Sequence, residues 1–145
     1  MTKIYIIGTG LIGGSMALDI KNIYDKTVIF GMDADEKNLQ EALQLGIIDE
    51  IATIDDISNA DLVIVAVPVD IGLVILPEIL DKIGAKTLVI DVGSTKFPIC
   101  EAIANHKNRH HFMATHPIAG RTIIKPCGVN KRTKIIIRKI FFYFC

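Results

Sequence analysis

Six residues near the start of the chain, Gly8-Thr9-Gly10-Leu11-Ile12-Gly13, have the glycine spacing G-x-G-x-x-G. The spacing is common in itself. It acquires meaning here because a β-prone run, residues 3–7, precedes it and a stretch with helical apolar spacing follows it. In that setting each glycine has a physical task. Gly8 permits a tight turn, Gly10 lets the backbone approach a pyrophosphate, and Gly13 lets the helix pack close on the strand. Leu11 and Ile12 open the helix, whose free N–H groups and partial positive charge suit phosphate oxygens. Asp33 follows 20 residues after Gly13, at the end of the next β-prone run. A carboxylate there accepts hydrogen bonds from ribose hydroxyls and repels a 2′-phosphate, which favours NAD over NADP. The plain alternatives are a turn without a ligand for the glycines and a loop cap or solvated carboxylate for Asp33.

Other candidates fall at the ends of later β-prone runs, where open α/β sheets bind ligands. Val67 and Pro68 close the run Val65-Ala66-Val67-Pro68 and are expected to line the adenine and nicotinamide-ribose side of a cleft. In Asp91-Val92-Gly93-Ser94-Thr95-Lys96, Ser94 is expected to cap the following helix and also to face the cleft, and Asp91 reads as structural. His116 comes at the end of the last run, before Pro117 and Gly120. A catalytic role and a hydrogen-bonded structural role are both open for it. His106, His110 and His111 read as a solvated turn, and their spacing matches no strong zinc pattern, so no metal is expected.

The elements that must position these residues follow from hydrophobic spacing. Near-continuous apolar runs at 3–7, 27–32, 62–67, 87–91 and 111–115 suit strands buried on both faces, as in a parallel sheet. Helical spacing marks 11–23, a helix between Asp35 as N-cap and Gly46 past its end, 71–83 and 99–104. Pro77 must then lie near a first turn or at a kink. Strand–helix alternation with this loop predicts a Rossmann-type α/β fold, a doubly wound and mostly parallel sheet. The 145 residues are 50% hydrophobic and 22% charged, which argues against disorder. Three cysteines at 100, 127 and 145 form neither a disulfide framework nor a CxxC pair. No signal-peptide core and no run of 18 apolar residues is present, and the acidic body argues against nucleic acid, so a cytoplasmic protein is expected.

Several motifs together carry a resemblance. Gly-Leu-Ile-Gly-Gly-Ser (10–15), Leu-Gly-Ile-Ile-Asp (45–49), Ala-Asp-Leu-Val-Ile-Val-Ala-Val-Pro-Val (60–69), Asp-Val-Gly-Ser-Thr-Lys (91–96) and His-Pro-Ile-Ala-Gly (116–120) resemble the prephenate dehydrogenase family in order and spacing over residues 3–120. The resemblance implies NAD-dependent oxidative decarboxylation of prephenate to 4-hydroxyphenylpyruvate in tyrosine biosynthesis, with arogenate as the related substrate. It implies that His116 accepts the substrate hydroxyl's proton and that Ser94 helps to orient substrate and histidine. The family continues into a helical domain that dimerises and supplies basic residues for the substrate's carboxylates. That domain is expected to be absent here.

The pattern breaks at Gly120. Residues 121–145 carry seven of the 16 Lys/Arg, none of the 16 Asp/Glu and four of the nine aromatics. Two units are therefore expected: an NAD-binding domain over 1–120 and an atypical basic, apolar tail over 121–145. A truncated or frameshifted gene would read this way, and sequencing the locus decides it. The alternative is a genuine tail that packs as a last strand around 135–137. Two rivals to the dehydrogenase reading are a stand-alone NAD-binding module without catalysis and another small NAD(P)-dependent dehydrogenase or reductase. A mere binding module needs neither His116 nor Ser94 in its cleft.

Overall fold

The computed structural model describes residues 1–122 and 134–143, with side chains through Pro117. Among the described residues the elements are β1 (Thr2–Ile7), α1 (Leu11–Ile23), β2 (Thr27–Met32), α2 (Glu36–Gln44), β3 (Glu50–Ile51), β4 (Leu62–Val65), α3 (Val69–Lys82), β5 (Leu88–Asp91), α4 (Phe97–Ala102), β6 (Phe112–Thr122) and β7 (Lys134–Tyr143). They form one sheet in the order β3-β2-β1-β4-β5-β6-β7. Strands β1 to β6 are parallel, and β7 pairs antiparallel with β6. The chain starts mid-sheet, winds out to β3, and crosses back to β4 on the other flank. This is the Rossmann order, with its switch point between β1 and β4.

Both faces of the sheet are covered, which is why the strands read as continuous apolar runs. Ile4 and Ile6 of β1 pack with Met16 and Ala17 of α1 and Leu39 and Ala42 of α2. Their neighbours Tyr5 and Ile7 point the other way, into a cluster with Leu76, Ile79 and Leu80 of α3 and Ile99 of α4. Burying each Ile, Leu or Val side chain fully contributes roughly 1.5–3 kcal/mol. Helix α2 begins as its spacing predicts: the Asp35 side chain accepts the Lys37 N–H at 2.9 Å, and Gly46 lies just past the end at φ +65°.

Several local expectations need correction. Pro77 lies inside α3, well past its first turn. An interior proline costs about 3 kcal/mol. The helix tolerates it because Leu76, Ile79 and Leu80 around it are almost completely buried. Ser94 does not cap α4: the helix starts at Phe97 with Lys96 in the N-cap position, no side-chain cap, and Pro98 in the first turn. Three short elements escaped the sequence patterns, β3, a two-turn 3-10 segment Ile54–Asn59 and a single-turn one, Arg109–His111. Of the two 3-10 segments, Ile54–Asn59 is the one closed by a capping box. The box is formed by Thr53 and Asp56, whose carboxyl is held below the usual carboxylate range by the Thr53 N–H and hydroxyl. Strand β6 is much longer than the 111–115 run and passes through Gly120, and β7 reaches beyond 135–137 and approaches α1. Among the described residues no helix is long and apolar enough to cross a membrane.

The motif residue Asp49 is a structural tie. Its Oδ1 pairs with Lys21 Nζ at 2.5 Å and its Oδ2 accepts the Ile29 N–H at 2.8 Å, joining α1 to β2. Lys21 also donates to the Gly46 carbonyl at 2.9 Å. Asp49→Ala removes both carboxylate contacts. It is expected to lower unfolding free energy by about 1–2 kcal/mol, read as a shift in urea midpoint at constant slope. An unchanged midpoint would show that the tie adds nothing.

Candidate active site at the strand ends

The glycine loop is shaped by the strands beside it. At the tip of β1 the Gly8 N–H donates to the Met32 carbonyl, and the Ala66 N–H donates to the Ile7 carbonyl, both at 2.7 Å. Gly8 has φ +94°, and a Cβ there would sit 2.5 Å from the Ala66 carbonyl oxygen. A Cβ on Gly13 would overlap the Gly8 carbonyl and press on Ile6 Cγ2 at 3.0 Å, so helix and strand touch backbone to backbone. Gly10 differs from both. Its backbone is extended (φ −63°, ψ −162°), and among the described residues nothing lies within 4 Å of where its Cβ would stand. The loop therefore leaves an open cradle at Gly10, directly before α1.

The first turn of α1 faces that cradle without competitors. No side chain caps it and no acidic residue lies in it. Leu11 and Ile12 are 53% and 36% exposed. An uncapped helix N-terminus offers N–H groups and partial positive charge to an anion, and phosphate is the chemistry that fits.

Asp33 is tied to this loop through Thr9, a residue the sequence reading passed over. Thr9 is buried, and its N–H and hydroxyl donate to Asp33 Oδ2 at 2.7 and 2.9 Å. Asp33 Oδ1 accepts the Asp35 N–H at 2.9 Å. A carboxylate has about four acceptor positions, so capping the loop leaves room for a ribose hydroxyl. Val67 is half-buried beside Gly8, its Cγ1 3.1 Å from the position of a Gly8 Cβ. Pro68 is exposed as the N-cap of α3, its carbonyl accepting the Gly72 N–H at 2.9 Å. Both border the switch point from the β4 side.

A second cluster lies at the ends of β5 and β6. The half-buried His116 places Nδ1 3.2 Å from the Gly93 carbonyl. A carbonyl only accepts, so in the neutral ring Nδ1 carries the proton and Nε2 keeps its lone pair. Ser94 follows Gly93 and is exposed. Under them lies Asp91, only 2% exposed. Its carboxylate pairs with Lys96 and accepts the Gly93 N–H at 3.0 Å and the Thr115 N–H at 3.2 Å. Three strand spacings separate β1 from β6, about 14 Å, so the glycine loop and His116 stand that far apart along the same end of the sheet.

Of the other histidines, His110 is exposed as expected, whereas His106 and His111 are tied rather than solvated. His111 Nδ1 lies 2.8 Å from the Thr87 carbonyl. His106 Nδ1 accepts the Asn108 N–H at 3.2 Å, while its Nε2 faces Asp81 at 3.5 Å. Lys107 beside Asp81 holds that carboxyl below its ordinary range.

Comparison with known proteins agrees with this geometry. The profile of the prephenate dehydrogenase nucleotide-binding domain matches residues 16–130. Prephenate dehydrogenase of Bacillus subtilis is 40% identical over 121 residues, covering 81% of this chain and 33% of that protein. Its counterpart in Lactococcus lactis is 39% identical over 126 residues, covering 83% and 35%. Thus the chain spans about a third of the length of these curated relatives. Among solved structures, prephenate dehydrogenase from Aquifex aeolicus superposes with a TM-score of 0.73 at 30% identity, covering 83% of this chain and 44% of that one. A second structure of the A. aeolicus enzyme, described as a complex with hydroxyphenyl propionate and NAD+, gives 0.64 at 28% identity over 81% of this chain and 42% of that one. By its sequence and its fold, the chain belongs to the prephenate dehydrogenase family, of which it carries the nucleotide-binding domain.

Proposed function

We propose that this chain binds NAD along the strand ends and that, within a complete enzyme, it carries the base for oxidative decarboxylation of prephenate. Gly10 and the first turn of α1 take the pyrophosphate. Asp33 takes the adenosine ribose. Val67 and Pro68 border the cofactor on the β4 side. When bound, the nicotinamide supplies the acceptor for the hydride that leaves the substrate's carbinol carbon. The residues here do the rest. His116 Nε2 takes the proton of the ring hydroxyl, and Nδ1–H stays on the Gly93 carbonyl and fixes the ring's orientation. Ser94, next to that carbonyl, holds the hydroxyl group in line. As carbon dioxide departs, the electron pair of its bond to the ring makes the ring aromatic, the ring oxygen takes its proton back from His116 Nε2, and the product is 4-hydroxyphenylpyruvate. Arogenate, with an amine in place of the keto group, presents the same ring.

The observation that supports this reading over a bare binding module is His116, whose Nδ1 faces the Gly93 carbonyl beside Ser94 at the end of β5. Residues 1–120 form the NAD-binding unit and 121–145 an atypical tail. In the whole protein a further domain holds the substrate's carboxylates and pairs two copies in the cytoplasm.

The first test is calorimetric titration with NAD and NADP, beside a prephenate turnover assay on the same sample. NAD should bind in preference. Asp33→Ser should narrow the preference and also weaken NAD about tenfold, since one charged hydrogen bond contributes about 1.5 kcal/mol and the carboxylate also holds Thr9. Tighter binding of NADP by the unmodified chain would overturn the role given to Asp33.

A further inference from the structure

We propose that Asp91 is the positioning residue for His116, setting which imidazole nitrogen is free to take a proton; the inference rests on the reading of His116 as a base. Four contacts converge on this buried residue. One carboxylate oxygen, Oδ2, accepts the Gly93 N–H at 3.0 Å and pairs with Lys96. The other, Oδ1, accepts the Thr115 N–H at 3.2 Å. The Thr115 hydroxyl donates back to the Asp91 carbonyl. Thr115 immediately precedes His116, and Gly93 supplies the carbonyl that receives His116 Nδ1.

Asp91 thus grips both sides of the histidine. Through Thr115 it fixes the backbone from which the ring projects. Through Gly93 it fixes the acceptor that the ring must face. Free histidine in water favours the proton on Nε2, the form that could not act as a base toward a hydroxyl in this cleft. The Gly93 carbonyl reverses that preference only while the 91–96 turn is held in place, and outer-sphere partners of this kind are known to set imidazole tautomers.

The chemistry requires a carboxylate. Both oxygens accept an N–H, and an amide has a single acceptor oxygen. In Asp91→Asn, whichever way the amide turns, its NH2 meets either Gly93 N–H or Thr115 N–H, and Lys96 loses its counter-charge. His111 provides an internal standard, because its Nδ1 also faces a carbonyl, that of Thr87, without involving Asp91.

The test is a long-range proton–nitrogen correlation spectrum of the nitrogen-15-labelled 145-residue chain, at mildly alkaline pH where imidazoles are neutral. His116 of the unmodified chain should show a protonated Nδ1 and a bare Nε2. In Asp91→Asn its two nitrogen signals should move toward each other or exchange places, while those of His111 stay put. Because a lone buried lysine can unfold the single variant, Asp91→Asn combined with Lys96→Gln removes both charges and should give the same change at His116 with dispersed amide signals. A bare Nδ1 in the unmodified chain would overturn the proposal. So would an unchanged His116 pattern in either folded variant. Failure of the unmodified chain to bind NAD in the separate titration would strike the cofactor reading and leave this result standing.

Discussion

The 145-residue chain should bind NAD yet show little or no prephenate turnover, and joining residues 1–120 to the remaining segment of a relative should switch catalysis on through His116. Prephenate carries two carboxylates, which need cations to hold them. Lys96, the cation at the end of β5, is already paired with Asp91 and only 12% exposed. A substrate left unheld keeps its reacting carbon away from the nicotinamide, and orientation is worth roughly 7–11 kcal/mol of barrier. The measurement is a chimera in which residues 1–120 run on into the remaining segment of the Bacillus subtilis relative. It should turn over prephenate. In it, His116→Asn should lower kcat by about 100-fold or more, or about 2.7 kcal/mol, since general-base catalysis typically contributes that much. Robust turnover by the 145-residue chain itself would mean that its own residues complete a substrate site. An active chimera indifferent to His116→Asn would remove the histidine from the chemistry.

The second large effect separates binding from folding within one loop. Gly10→Val should abolish measurable NAD binding, a loss of at least about 100-fold, while the domain stays folded. Its extended backbone is one that valine adopts, and among the described residues its Cβ would meet nothing within 4 Å. The branched side chain would fill the cradle before α1 and block close approach of a pyrophosphate. Far-ultraviolet circular dichroism and the thermal midpoint should barely change. Valine at Gly8 or Gly13 should behave in the opposite way, because Gly8 has φ +94° and a Cβ on Gly13 overlaps the Gly8 carbonyl. Those variants should lose the fold along with the ligand. If Gly10→Val titrates like the parent chain, the loop is only a turn.

The fold was legible because its signals are local. Two-faced burial writes itself as apolar runs, a glycine turn between strand and helix as G-x-G-x-x-G, and α2 as an Asp35 cap with a Gly46 stop. What escaped depends on residues far apart in the chain. Ser94 looked like a helix cap by type, but the following turn carries the chain two residues further before α4 starts. Pro77 reads as a first-turn or kink residue, yet it lies well inside α3, where burial around it outweighs its cost. At the site, the residue types were legible and their partners were not. Thr9 joins Asp33 across 24 positions, and Asp91 joins Thr115 across the same distance. No periodicity records such pairs, since parallel strands bring them together only after a crossover.

Strand β6 changes company midway. It is laddered to β5 only from Phe112 to Ala114, and from Ala114 to Thr122 its recorded partner is β7. Proteins open in cooperative units of unequal stability, and a peripheral hairpin generally opens at lower free energy than the centre of a covered sheet. The seam between two such units falls at Thr115, one residue before the histidine. By bonding the Thr115 N–H, Asp91 clamps that seam to β5, and His116, which itself pairs with Phe141 of β7, sits one residue outside the clamp.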